Sequence, residues 1–261
     1  MNKVLQADCL QYMKKRKDDP FDFIFGSPPY AFKSDRYSGR KCKKWEPDDW
    51  VDWMFLVTTE AVRLSKGYVV WIVNGPVRKR RYFPVAEMLM AKWHLSGGWC
   101  ERPSIWTKNS PPNRLDWFRN DWEFAVAFKK PGSQPYFNWK AVAKSPKYRA
   151  GGYFRQRDSK GVRRRGGDYP QTKLARPSDV FRVLIGGGHM GSNLAHDNEA
   201  PFPEHVAERF VATCCPPKGK VLDPFVGSGT TLAVCKKFGC HGTGLEIRRS
   251  QVDLSKRRLK E

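Results

Sequence analysis

Apolar positions along this chain follow two rhythms. Some runs are apolar at almost every step, as in Phe21-Asp22-Phe23-Ile24-Phe25 and Tyr68-Val69-Val70-Trp71-Ile72-Val73. A strand buried on both faces of a parallel sheet reads this way, because neither side of the pleat meets water. Other stretches repeat at helical spacing. Residues 47–66 carry Trp50, Trp53, Met54, Val57, Ala61 and Leu64. Pro47-Asp48-Asp49 suits a helix start there, and Gly67 its stop. The same reading predicts strands over 4–8, 104–107, 122–128, 221–223 and 241–247. Helices are predicted over 9–17, 84–93, 204–215, 229–238 and 248–260. Strands alternating with helices predict a doubly wound α/β sheet.

The rhythm breaks between residues 131 and 180. Periodicity is weak there, and twelve Lys or Arg stand against three acids, with Arg163-Arg164-Arg165 in the middle. The stretch reads as loops and small elements inserted into the main domain, which divides the chain into 1–130, 131–180 and 181–261. A plain solvated loop is the competing reading. Over all 261 residues, 48 basic against 26 acidic residues leave a net charge of +22. A protein this basic meets a polyanion, with nucleic acid the first candidate. Charge alone does not separate DNA from RNA. No apolar stretch nears the roughly 20 residues that cross a bilayer. Met1-Asn2-Lys3-Val4 lacks a secretory pattern, so the expected location is the cytoplasm, with no membrane partner. Seven cysteines without a C-x-x-C pair suit reduced, partly buried thiols, and no metal is expected.

The densest chemical signal lies at 221–247. A strand ends at Asp223, the turn Pro224-Phe225-Val226-Gly227-Ser228-Gly229 follows, and a helix opens with Thr230 and Thr231. Such a turn sets main-chain N–H groups and a helix N-terminus against whatever lies at the strand end. Glu246 closes the next strand, where nucleotide-binding sheets grip ribose hydroxyls. A P-loop needs Gly-Lys before its Ser/Thr, which is missing here, and Asp223 would repel a pyrophosphate. A ligand with ribose and adenine but no phosphate fits better, and S-adenosyl-L-methionine is the obvious one. A purely structural turn of small residues is the alternative.

Near the other end, the apolar strand at 21–25 stops in Gly26-Ser27-Pro28-Pro29-Tyr30. Taken with Asp223–Thr231, this resembles the beta-class DNA amino methyltransferases. Residues 6–10 and 200–210 extend the likeness over nearly the whole chain. The resemblance implies a class I, Rossmann-like sheet dependent on S-adenosyl-L-methionine and circularly permuted. The catalytic half comes first, then a target-recognition region at 131–180, then the cofactor half. The next strand after Glu246 is then the chain's own 4–8, which sets Asp8 beside Glu246. The resemblance also implies roles: Asp8 and Cys9 at the adenine, Glu246 at the ribose, Phe202 packed on the cofactor, and 223–231 around the methionine half.

An exocyclic base amine is a poor nucleophile, because its lone pair is delocalised into the ring. Acceptors on its two protons free that pair, and Ser27 Oγ and the Pro28 carbonyl are the candidates. Pro28 and Pro29 stiffen the turn and bring no competing N–H, while Tyr30 offers a face for a base rotated out of the duplex. Serine at this position inclines the family toward cytosine N4, with adenine N6 as the alternative. Double-stranded DNA is the expected partner, with a cognate restriction endonuclease as a further one, and the protein is expected as a monomer or homodimer. Arg78, Lys79, Arg80 and Arg81 are candidates for phosphate contact, with a solvated helix start as the competing reading. Arg155, Arg157, Arg163, Arg164 and Arg165 are candidates for phosphate or guanine. Asn113 and Arg114 sit in a loop that could close over DNA, whereas His189 and His196 read as loop residues. A catalytically silent DNA-binding protein, or an RNA or protein methyltransferase on the same scaffold, are the rival functions.

Overall fold

The computed structural model describes residues 2–17, 20–32, 46–110, 117–146, 152–168, 173–186, 188–197 and 201–261. The chain begins with β1 (Lys3–Gln6), α1 (Cys9–Lys15), β2 (Phe23–Gly26), α2 (Pro47–Leu64) and β3 (Val69–Val73). It continues through β4 (Val77–Arg78), β5 (Arg81–Tyr82), α3 (Val85–Leu95), β6 (Trp99–Cys100), β7 (Ser104–Thr107) and β8 (Trp122–Lys129). After β9 (Tyr153–Arg157), β10 (Arg163–Asp168) and β11 (Val180–Arg182) come α4 (Glu204–Cys214), β12 (Lys220–Asp223), α5 (Thr230–Lys237), β13 (His241–Glu246) and α6 (Arg249–Arg258).

The main sheet runs β1-β13-β12-β2-β3-β8-β7-β11, with β6 on β8. Pairing is parallel from β1 through to β3 and turns antiparallel at β8. The last strand in the chain pairs with the first, Gln6 opposite Glu246, as the permuted order requires. The strand order reverses between β12 and β2, the switch point where open α/β sheets bind ligands.

The apolar runs are continuous because each face of the sheet has its own core. Ile24, Val69, Trp71 and Val73 point to one side, where they meet Met13, Trp50, Met54 and Leu89 of α1, α2 and α3. Phe23, Phe25, Val70 and Ile72 point to the other, against Val206, Phe210, Val211 and Val234 of α4 and α5. Helix α6 packs through Val252 onto Val4, Val226 and Leu232. No helix among the described residues is long and apolar enough to cross a membrane.

Two details sharpen the sequence reading. Arg78–Arg81 is no helix start but a hairpin of β4 and β5, with Lys79 and Arg80 turning at positive φ. Residues 138–178 form a compact unit of their own, distinct from residues 1–137 and 179–261. Within it β9 and β10 make a registered antiparallel ribbon. Periodicity missed it because polar residues fill most of both faces, so no apolar alternation marks the strands.

Candidate active site

Two turns lie side by side at the switch point. β2 ends at Gly26 and β12 at Asp223, and the strands pair with Leu222 opposite Ile24. A Cβ placed on Gly26 would stand 2.8 Å from Asp223 Oδ1 and 3.4 Å from the Phe225 ring. The missing side chain lets the acid and the proline turn touch.

The Ser27–Tyr30 turn is braced by side chains from elsewhere. Trp50, fully buried on α2, donates its indole N–H to the Pro29 carbonyl at 2.6 Å. Tyr30 Oη donates to Glu123 Oε2 at 2.9 Å, and the other Glu123 oxygen takes the Lys108 ammonium. Glu123 is only 4% exposed; a carboxylate that deep persists because both its oxygens are paired. The pairing anchors the tip of the Tyr30 ring. With the Pro29 carbonyl engaged, the half-buried Ser27 hydroxyl and the Pro28 carbonyl are among the acceptors of the turn. Sequence reasoning did not find Trp50, Glu123 or Lys108. The one local signal was an acid at a buried position inside the apolar alternation of β8.

The glycine turn is braced from behind. Gly227 and Gly229 take φ of +48° and +88°, values open to glycine at little cost, and Gly229 caps α5. Ser255 Oγ donates to the Gly227 carbonyl at 2.5 Å. Arg258 Nη1 donates to Thr230 Oγ1 at 2.9 Å and Ser228 Oγ at 3.3 Å, while Nη2 reaches Glu204 Oε1 at 2.6 Å. Both hydroxyls therefore accept from a guanidinium that is 2% exposed, which leaves their own protons to donate. Arg258 was read as part of a basic helix; its spacing from Val252, Leu254 and Ser255 on the buried stripe of α6 was the available signal.

Burial pushes the Asp223 carboxyl up to about 7, against the pull of the Phe225 N–H that donates to it at 2.9 Å. Pro224, Ser228, Thr230 and Thr231 are buried around it, and the Phe225 ring packs on Trp53 and Trp71. Glu246 Oε1 accepts from the Arg248 main chain at 2.9 Å and from its Nε at 3.4 Å. Ala7 N–H donates to the Glu246 carbonyl at 3.0 Å, bringing Asp8 alongside. Asp8 already has a local task, since its Oδ1 accepts the Gln11 N–H at 2.8 Å and caps α1. The Cys9 thiol is buried and pushed up to about 12 by desolvation, so it stays neutral. Phe202 sets its ring edgewise on Phe25, with centroids 5.8 Å apart.

Asp8, Glu246, Asp223–Thr231 and Ser27–Tyr30 thus share one sheet edge. The basic hairpin lies near it: Arg78 stacks on Phe32, two residues beyond Tyr30, and Arg81 on Phe83, whose ring meets Phe32. Arg155, Arg157, Arg163, Arg164 and Arg165 all lie on the ribbon of the second unit. His189 lies in a turn closed onto Gly186. Asn113, Arg114 and the His196 side chain lie outside the described residues.

The family model for N6/N4 methylases, described as DNA methylase, matches residues 21–257. Type II methyltransferase M.BglII of Bacillus subtilis is 25% identical over 98% of this chain and 68% of its own length. The PvuII DNA methyltransferase, named as cytosine-N4-specific, superposes with a TM-score of 0.72 at 16% identity, covering 98% of this chain and 85% of that one. M1.HpyAVI, solved with S-adenosyl-L-methionine, gives 0.63 at 19% identity over the whole of both chains. At these identities the structural likenesses show the fold.

Proposed function

This chain belongs to the N6/N4 DNA methylase family, and we propose that within it the protein methylates the N4 amine of a cytosine in double-stranded DNA at a defined sequence. It is a DNA methyltransferase, and S-adenosyl-L-methionine is its methyl donor. The observation that carries the reading of amine methylation is the contact of two turns of opposite hydrogen-bonding character, one rich in main-chain donors and one stripped of them by prolines; the choice of cytosine rests on the serine at position 27.

The donor set suits the cofactor group by group. Glu246 would hold the ribose diol. Asp8, beside the main chain of Cys9, would take the adenine amine, and Phe202 would pack on the cofactor. The Gly227 and Ser228 N–H groups, with the Ser228 and Thr230 hydroxyls whose oxygens accept from Arg258, would suit the methionine carboxylate. When bound, the cofactor supplies an electrophilic methyl group on a sulfonium centre.

The protein's share is to position and polarise. Ser27 Oγ and the Pro28 carbonyl accept the two amine protons and draw the nitrogen lone pair out of the ring. Tyr30, locked by Glu123, stacks on the extruded base, offsetting part of an extrusion cost of a few kcal/mol with about 1–3 kcal/mol of stacking. The nitrogen becomes strongly acidic once alkylated and loses its proton to water, so no histidine base is required. A neutral hydroxyl at position 27 favours the smaller base. A cognate endonuclease remains part of the proposal through the type II name of M.BglII.

The test is direct. The protein is incubated with S-adenosyl-L-methionine and unmethylated genomic DNA, and the nucleosides are identified by mass spectrometry. N4-methylcytosine is expected. N6-methyladenine would overturn the assignment of the base, and no methylated base at all would overturn the activity.

A further inference from the structure

The ribbon of residues 153–168 carries four of its five arginines on one side. Opposed residues in an antiparallel pair point to the same face. The register sets Arg163 opposite Arg157 and Arg165 opposite Arg155, two rows of two. Arg155 and Arg165 both stack toward the Tyr153 ring, at 5.7 and 5.1 Å, which confirms that they share that face. The reverse face holds Phe154 and Gln156, against which Gly166 packs, and Arg164, whose Nε is bound to Asp158 at 2.7 Å.

Like charges directly across a ribbon destabilise it, and a two-stranded ribbon is marginal to begin with. Arg165 is relieved by Asp168. Arg157 and Arg163 make no ion pair among the described residues. The arrangement is nevertheless held stiffly at its tip. Asp158 Oδ1 accepts the N–H groups of Lys160 and Val162, at 2.9 and 3.0 Å, and Gly161 completes the turn at φ +77°.

We propose that the β9–β10 ribbon enters the major groove of DNA and reads guanine through the Arg155, Arg157, Arg163 and Arg165 face. The inference rests on the DNA methylase reading and deepens it. A two-stranded ribbon fits a groove about 12 Å wide. Along a strand, residues two apart stand about 6.8 Å from one another, close to two base-pair steps of about 3.4 Å each. The two arginine rows therefore match the rise of the duplex when the ribbon lies along the groove. The guanidinium fork bonds guanine O6 and N7 together, which an ammonium cannot do. The unrelieved charge of the free ribbon is what bound DNA neutralises.

The experiment selects duplexes from a random pool with the full-length protein, so the bound sequence is defined without methyl transfer. A failure of the enzymatic reading and a failure of this one are thereby separated. The double variant Arg157→Lys/Arg163→Lys keeps the charge and loses two forks. It is expected to bind random DNA within about threefold of wild type while losing roughly tenfold or more in preference for the selected sequence. Replacing guanine by 7-deazaguanine in the selected duplex should weaken the wild type by a similar factor and the variant little. Gln156→Ala, on the reverse face, should preserve the preference. A double variant that selects the same sequence with the same preference would overturn the proposal. So would indifference to 7-deazaguanine, or an equal loss of affinity on every sequence, which is the mark of a phosphate clamp.

Discussion

The turns that follow β2 and β12 are neighbours made of opposite materials. One has two prolines and few N–H groups; the other has two glycines at positive φ and a row of N–H groups at the start of a helix. The proline turn is held by an indole and a tyrosine–glutamate–lysine chain. The glycine turn is held by a buried arginine that also reaches α4. A transfer from a cofactor bearing a carboxylate to a substrate bearing an amine needs one of each. The sheet supplies both within contact distance because its strand order reverses between them.

The comparison breaks most severely at the brace of the glycine turn. Arg258→Met leaves Glu204 half-buried without its partner, and loss of one member of a buried pair costs about 3–5 kcal/mol. Denaturant unfolding should register that loss, and titration of S-adenosyl-L-methionine should show weakened binding. An unchanged cofactor affinity in a stably folded variant would mean that Arg258 does not shape the turn. The proline turn should break differently. Ser27→Ala removes one acceptor, and by analogy with a single lost oxyanion donor it should slow methyl transfer about 10²–10³-fold. Cofactor affinity should stay within about twofold, and a large loss there would reverse the assignment of the two turns.

The smallest effect per step lies in pH. Asp223 holds its proton up to about 7 in the folded protein but ionises near 3.8 when unfolded. Between those values the folded state carries the extra proton, so stability falls as pH rises from about 4 to about 7 and levels off above. The slope is at most about 1.4 kcal/mol per pH unit. Asp223→Asn lacks that proton and should lack that share of the slope; equal slopes in the two proteins would remove Asp223 from the account.

What the sequence made legible follows from distance along the chain. The apolar runs at 21–25 and 68–73, the start of α2 at Pro47 and the glycine turn each declare themselves within a few residues. The order of the halves came from one further step, the resemblance of two motifs read together. The braces were hidden because they join distant positions: Trp50 to Pro29 across 21 residues, Tyr30 to Glu123 across 93, Arg258 to Glu204 across 54. Neither a propensity nor a period encodes such a pairing. The arginine ribbon was hidden for another reason. Its strands bury little on either side, and the pattern that reveals a strand is the contrast between a wet face and a dry one.

Gly26 carries a consequence beyond packing. Because its bare Cα rests against the carboxylate of Asp223, the two turns share a boundary. A ligand that shifts or rigidifies either turn alters the free energy of filling its neighbour. Such linkage is reciprocal by thermodynamic necessity: if the donor tightens the grip on DNA, DNA tightens the grip on the donor by the same factor. One absent methyl group thus sets the two turns in contact, and any coupling between their ligands would run through it.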